Sequence, residues 1–312
     1  MRHLLIFLVA VMAFPGAGVG QSCLPEGITF ETQYDIDYFS AFYPGCTTIA
    51  GDVTIHDETG TGIKNLDGLS QLTSIGGKLY LLGNRGLKTL HGLHNLTSIG
   101  GHLDISSNDG LFTLSGLDNL SHIGGRITIS HHDSLKNLSG LEKITKLGGF
   151  LHLSYNEALT SMHGLHHLDS IGGHLYIWSN DSLINLAGLE RVKYVKEYVN
   201  ILTCKNLTSL TGLDSLNYIG EDLAVFQNPV LSSLNGLQNV KYVGEFLSIS
   251  SNPLLTTLQG LNGLQTVNGY LTFAFNDNLI SLDGLENLTT INGYIQVWRN
   301  EHLVSIAKAE WF

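Results

Sequence analysis

Residues 79–102 read LYLLGNRGLKTLHGLHNLTSIGGH, and this stretch is one copy of a unit repeated along the chain. Its apolar positions are Leu79, Leu81, Leu87, Leu90, Leu93, Leu96 and Ile99, and they return as Leu, Ile or Val in nearly every later unit. The pair Gly-Leu marks the register, standing at 68, 92, 116, 140, 164, 188, 212, 236, 260 and 284, always 24 residues apart. A fixed period of this size is the signature of a solenoid, in which one unit cannot bury its own apolar face and stacked units share a continuous core.

Spacing within the unit assigns its parts. Leu79 and Leu81 alternate with Lys78, Tyr80 and Leu82, the period of two expected of a strand with one face buried. The remaining apolar residues come every third position, which fits a chain turning corners around an apolar column. The expected fold is a β-rich solenoid of right-handed parallel β coils, about ten of them over 57–312. A second column, three residues after the inward pair, holds Asn84, Asn108, His132, Asn156, Asn180, Cys204, Asn228, Asn252, Asn276 and Asn300. An inward asparagine there is expected to bond the backbone of its own turn, and Cys204 is read as a buried substitute. A third column is Gly-Gly at 76, 100, 124, 148 and 172, read as a turn requiring φ > 0. Lys196 replaces the glycine in one coil and is expected to strain the same turn.

The ends differ from the repeats. Arg2 and His3, an apolar run over 4–14 and the small residues 16–20 describe a secretory signal peptide over 1–20. That run is too short to span a membrane, which takes roughly 20 residues, and no other candidate span follows it. Residues 21–56 read as an N-terminal cap with a first strand. Thr32 starts a short helix carrying Ile36, Phe39, Phe42 and Tyr43, stopped by Pro44-Gly45. Three cysteines in an exported chain suggest one disulfide and one leftover thiol; Cys23 and Cys46 are paired here. No C-terminal cap is legible, and a missing C-terminal region that attaches the protein to a cell surface is one expectation.

The pattern L-x-G-L-x-x-L-x-x-I-G-G-x-L-x-I-x-x-N, seen at Gly164-Leu165, Ile171-Gly172-Gly173, Leu175, Ile177 and Asn180, resembles the receptor L-domain family of leucine-rich-repeat-like solenoids. The resemblance covers about 49–310. The segments Cys23–Phe30 and Tyr43-Pro-Gly-Cys46 look like the N-terminal cap of its secreted bacterial members. It implies binding at a cell surface, not a reaction.

Composition narrows the function. The net charge is −11, with 16 Lys+Arg in 312 residues, so the basic footprint that nucleic acid requires is missing. No phosphate loop, nucleophile elbow or metalloprotease motif occurs, and neither a cofactor nor a metal is expected. Asp104 and Asp222 are the only acids in the three outward columns of the sheet, about five coils (~24 Å) apart, too far for a catalytic carboxylate pair. His91, His94, His163, His166 and His167 lie in corner loops and read as solvated turn residues. Sequons at Asn95, Asn119, Asn137, Asn180, Asn206 and Asn287 arise within the repeat itself.

The candidate site is an aromatic patch on neighbouring coils: Phe150, His152, His174, Tyr176, Trp178 and Tyr198. Such groups are enriched at protein interfaces and can stack on sugars, so a protein or glycan ligand is expected. The competing reading is a structural spacer whose aromatics stabilise the sheet by cross-strand packing.

Overall fold

The computed structural model describes residues 21–57 and 62–304; residues 1–20, where a signal peptide is expected, and the end of the chain from 305 lie outside them. The chain winds as a parallel β-solenoid of about eleven turns with 24-residue spacing. Four-residue strands such as Leu79–Leu82, Leu175–Trp178 and Ile295–Trp298 stack into a 12-stranded parallel sheet. Equivalent residues meet across coils: Leu175 lies between Leu151 and Val199, and Tyr176 between His152 and Asn200. Two-residue strands such as Ser170–Ile171 form a narrower second face, divided into a 5-stranded and a 7-stranded sheet. Leu175, Ile177, Leu183, Leu186, Leu189, Val192 and Val195 from one circuit are all fully buried, so the stacked coils share one apolar column.

The cap is part of the solenoid. Ile28–Phe30 and Val53–His56 already pair in the long sheet, and the disulfide Cys23–Cys46, with Cα atoms 5.8 Å apart, ties two paired strands together. Thr32 and Asp35 form a reciprocal capping box at the start of α1 (Gln33–Asp37), and α2 (Phe39–Phe42) follows after a break at Tyr38. Ile36 and Phe39 are buried over the first coil, but Phe42 is not part of that seal: it is 58% exposed and lies beside Tyr34 and Tyr38. The helix breaks after five residues, and the apolar spacing read across the break does not hold one face.

Glycine sets how closely coils approach. At Gly212 φ is +114°, and a Cβ there would stand 2.1 Å from the carbonyl oxygen of Leu186 in the preceding coil. From Gly116 to Gly284 conformation and contact both exclude a side chain, and at Gly68 and Gly92 contact alone does, which together account for the unbroken Gly-Leu register. The double glycines are different, because none of them has positive φ, contrary to the expected turn. Contact alone acts there: a Cβ on Gly100 would lie 2.2 Å from Gly76 O. Lys196 therefore keeps the turn, its N–H donating to Ile171 O at 3.0 Å, without the expected φ strain.

The left-handed conformation appears elsewhere, at the residue before each ladder position. Nine non-glycine residues, from Ser107 and His131 through Tyr155 and Thr203 to Phe275 and Arg299, have φ between 49° and 60°. This region costs an L-residue roughly 1–2 kcal/mol and persists only where its surroundings over-determine it. Here the same residues donate to the next coil, as Tyr155 N–H does to Trp178 O and Thr203 N–H to Phe226 O, both at 3.0 Å.

The asparagine column then staples coil to coil. Asn228 Oδ1 accepts Cys204 N–H at 3.0 Å, and its Nδ2 donates to Ile201 O at 3.1 Å one coil back and to Phe226 O at 3.2 Å in its own turn. Asn252 and Asn276 repeat the arrangement, as do Asn108, Asn156, Asn180 and Asn300 with the strand carbonyls behind them. Bonds to the neighbouring coil thus add to the own-turn bond expected from sequence. Asn84 begins the column, donating to Ile55 O.

Two members depart from the pattern. The ring nitrogens of His132 each lie 3.0 Å from a carbonyl oxygen, Asn108 O and Ile105 O, and a neutral imidazole has one proton to offer them. Burial lowers the His132 pKa against the pull of those carbonyls. Its backbone N–H turns to Tyr155 O, and Asn156 Oδ1 is left without a partner. At Cys204, burial pushes the thiol up to about 12, so at neutral pH it is an inert thiol. Restoring the amide at either place should help. His132→Asn and Cys204→Asn are each expected to stabilise the fold by about 0.5–1.5 kcal/mol, read as a higher urea midpoint at pH 7; a lower midpoint for both would contradict this role for the ladder.

Candidate functional site

The aromatic face is built on three adjacent strands, Leu151–Ser154, Leu175–Trp178 and Val199–Leu202. Strand alternation turns Leu151, Leu153, Leu175 and Ile177 into the core and His152, Tyr176 and Trp178 outward. The expected six residues do meet. Phe150, His174 and Tyr198 stack along the solenoid axis at 4.2 and 4.3 Å, with planes 15° and 7° apart. His152 lies 4.7 Å from Tyr176, and Trp178 stands nearly perpendicular to Tyr176 at 6.2 Å.

Stacking changes what this face can do. In the first column each ring covers its neighbour, and the Arg126 guanidinium lies 5.1 Å over Phe150. Both faces of Phe150 and His174 are occupied and one face of Tyr198, so those rings offer a ligand mainly their edges and the far side of Tyr198. Trp178, outside that column, stands across the Tyr176 ring and is half-buried. The face is also poor in charge. Burial lowers the pKa of His152 and, despite the Glu197 carboxylate 3.4 Å away, that of His174. Burial likewise raises the phenols of Tyr176 and Tyr198.

A feature that the outward columns did not disclose borders this face. Tyr155, in the left-handed column, packs edge-on against Trp178 at 4.5 Å and stacks on His131 at 4.8 Å. From Tyr155 a groove of about 670 Å³ runs along the corner of the solenoid to Phe275. Its floor carries Ser179, Thr203, Gln227 and Ser251, and its outer wall Glu157, Asp181, Lys205, Pro229, Pro253 and Asp277. These are the residues just before and just after the ladder position on successive coils. On the other side of Tyr155 a second trough, about 950 Å³, continues past His131 and Ser107 toward Gly83.

The outer wall of the two troughs carries acids on four consecutive coils: Asp109, Asp133, Glu157 and Asp181. Arg85 and Lys205 close the row, pairing with Asp109 at 3.6 Å and with Asp181. The Asp181 carboxylate holds Lys205 protonated above the ordinary lysine range. Only the two columns flanking the asparagines reveal the groove, and they become legible in sequence once the corner is known to expose them.

The corner-loop histidines stack on one another, His91 on His94 and His163 on His166, both at 5.0 Å. Among the described residues no three His, Cys, Asp or Glu side chains converge as metal ligands. The sequon residue Asn180 is buried and its amide donates to Leu153 O at 2.9 Å.

The lowered histidines carry a pH dependence whose sign can be stated. Burial disfavours their protonated forms, so below 6.5 the unfolded chain binds more protons than the folded one. Stability is complete above that value and falls as pH drops through the folded midpoints. Proton-detected NMR is expected to place His132, His152 and His174 all below the reference 6.5; midpoints above it would refute the burial assigned to them.

No family model matches this chain, and no curated protein matches it.

Proposed function

We propose that this protein is a non-catalytic recognition module, secreted or held at a cell surface, that binds a protein or glycan ligand through the outward face of its parallel sheet and the groove beside it. The observation that carries the reading is the junction at Trp178. There a half-exposed tryptophan joins the aromatic face to a concave trough, and concavity next to amphipathic rings is the usual form of a ligand site.

Several features support the parts of this reading. The disulfide Cys23–Cys46 belongs to an oxidising compartment, and among the described residues no helix is long and apolar enough to cross a membrane. The leader-like pattern of 1–20 points the same way. The repeat motif resembles receptor L domains, which implies binding. The groove acids Glu157 and Asp277 are exposed and Asp181 is engaged by Lys205. The buried titratable groups His132 and Cys204 belong to the ladder inside the coil, away from the groove. That division favours adhesion over acid–base chemistry.

The test is a glycan array and a surface-extract pull-down with the chain from Ser22 onward, beside the double variant Tyr176→Ala/Trp178→Ala. Retention by the parent and at least tenfold weaker binding by a folded variant, about 1.4 kcal/mol, is the expected outcome. Silence from both would favour a structural spacer, and equal binding by both would move the site away from this face.

A further inference from the structure

The groove ends in two matching aromatic brackets. Tyr155 packs edge-on against Trp178 at 4.5 Å and 60°, and Phe275 against Trp298 at 4.7 Å and 67°. In each bracket the first ring is a left-handed corner residue and the second follows 23 positions later at the end of the next strand. The brackets are five coils apart, about 24 Å at ~4.8 Å per strand. Trp178 and Trp298 are the two tryptophans of the described residues, and each packs on an aromatic residue, Tyr155 or Phe275, that lines an end of the trough.

Resting on the recognition reading, we infer that this groove binds a neutral, extended glycan whose sugar rings pack against the Tyr155/Trp178 and Phe275/Trp298 brackets. The chemistry between the brackets selects that class. Ser179, Thr203, Gln227 and Ser251 place hydroxyl and amide groups on successive coils, a row of donors and acceptors suited to a polyhydroxylated chain. Glu157 and Asp277 can accept further hydroxyl protons and repel an anionic polymer. Lys205 is held by Asp181, and the Arg299 guanidinium is engaged over the Phe275 ring at 5.6 Å.

A peptide fits less well. Within the sheet the backbone groups are already paired coil to coil in register, so the groove has no free strand edge for a peptide to extend. The ring faces of Phe150 and His174 are also taken up by stacking. Phe275 is 40% exposed and Trp298 46% exposed, which leaves this second bracket accessible beside the Arg299 guanidinium, 5.6 Å over the Phe275 ring.

Calorimetry of the chain from Ser22 onward with linear β-linked glucose, β-linked N-acetylglucosamine and α-linked glucose oligomers, from dimers upward, tests this directly. An oligogalacturonide and an oligolysine peptide serve as anionic and cationic comparisons. At least one neutral series is expected to bind, with affinity rising until the oligomer spans both brackets. Phe275→Ala, checked for folding by circular dichroism, should weaken the long oligomers about tenfold, bringing them toward the affinity of the dimer, which still has the Tyr155/Trp178 bracket. Silence toward every neutral series, preference for either charged probe, or long-oligomer binding untouched by Phe275→Ala would overturn the glycan groove. A protein retained from the surface extract and lost in Tyr176→Ala/Trp178→Ala would, in any of those cases, leave the recognition reading standing. Silence in both experiments would remove both.

Discussion

Where the ladder position is asparagine on both sides, each coil is joined to the next by hydrogen bonds that run from the strand, through the left-handed corner residue, to the ladder amide. Val225 faces Ile201, Gln227 N–H reaches Ser250 O at 3.1 Å, and Asn228 N–H reaches Asn252 Oδ1 at 3.1 Å. Parallel strands alone would leave the corner carbonyls and amides to fend for themselves, and buried backbone groups must be paired. The carboxamide solves this because one side chain offers the preceding coil an acceptor and a proton and its own turn a second proton, while the backbone N–H of the same residue reaches the next coil. The first full coil takes up two extra residues between Val53 and Leu79 and still brings Asn84 to Ile55 O, so the alignment of strand and ladder is kept even where the 24-residue period is not.

The same constraint shapes the outer surface. Holding the corner in the left-handed region makes the residue before each asparagine part of the groove floor, whatever its identity. That is why Ser, Thr, Gln, Tyr, His, Phe and Arg all occur in this column. The backbone is fixed by the ladder, and the side chain is free to vary. A scaffold of this kind separates stability from specificity: the inward columns are nearly uniform, while Tyr155, Phe275 and the residues between them differ from coil to coil.

Much of the fold was legible from the 24-residue spacing. The strand alternation, the buried column and the position of Cys204 follow from period and polarity alone. The double glycine was misread because glycine serves two purposes, positive φ and close approach, and sequence does not distinguish them; Gly100 needs only the second. Phe42 was misplaced because a helix that breaks at Tyr38 resets its face. The aromatic patch was legible as a cluster, since equal positions on adjacent coils must be neighbours. Its stacking was not, because ring planes depend on rotamers. The groove stayed hidden because a corner's curvature is set by backbone dihedrals, and nothing in the residues Ser179, Thr203 and Gln227 marks them as left-handed.

The dependence of the solenoid on its amide ladder is most directly measured by native-state hydrogen exchange, resolved residue by residue. The backbone amides of Cys204, Asn228 and Asn252, each donating to an asparagine Oδ1, should exchange only on global unfolding. Protection should drop around His132, where the run of carboxamides is interrupted and Asn156 Oδ1 has no partner. Equal protection through the His132 coil, or fast exchange at Asn228 and Asn252, would show that the leucine core holds the coils together without the ladder.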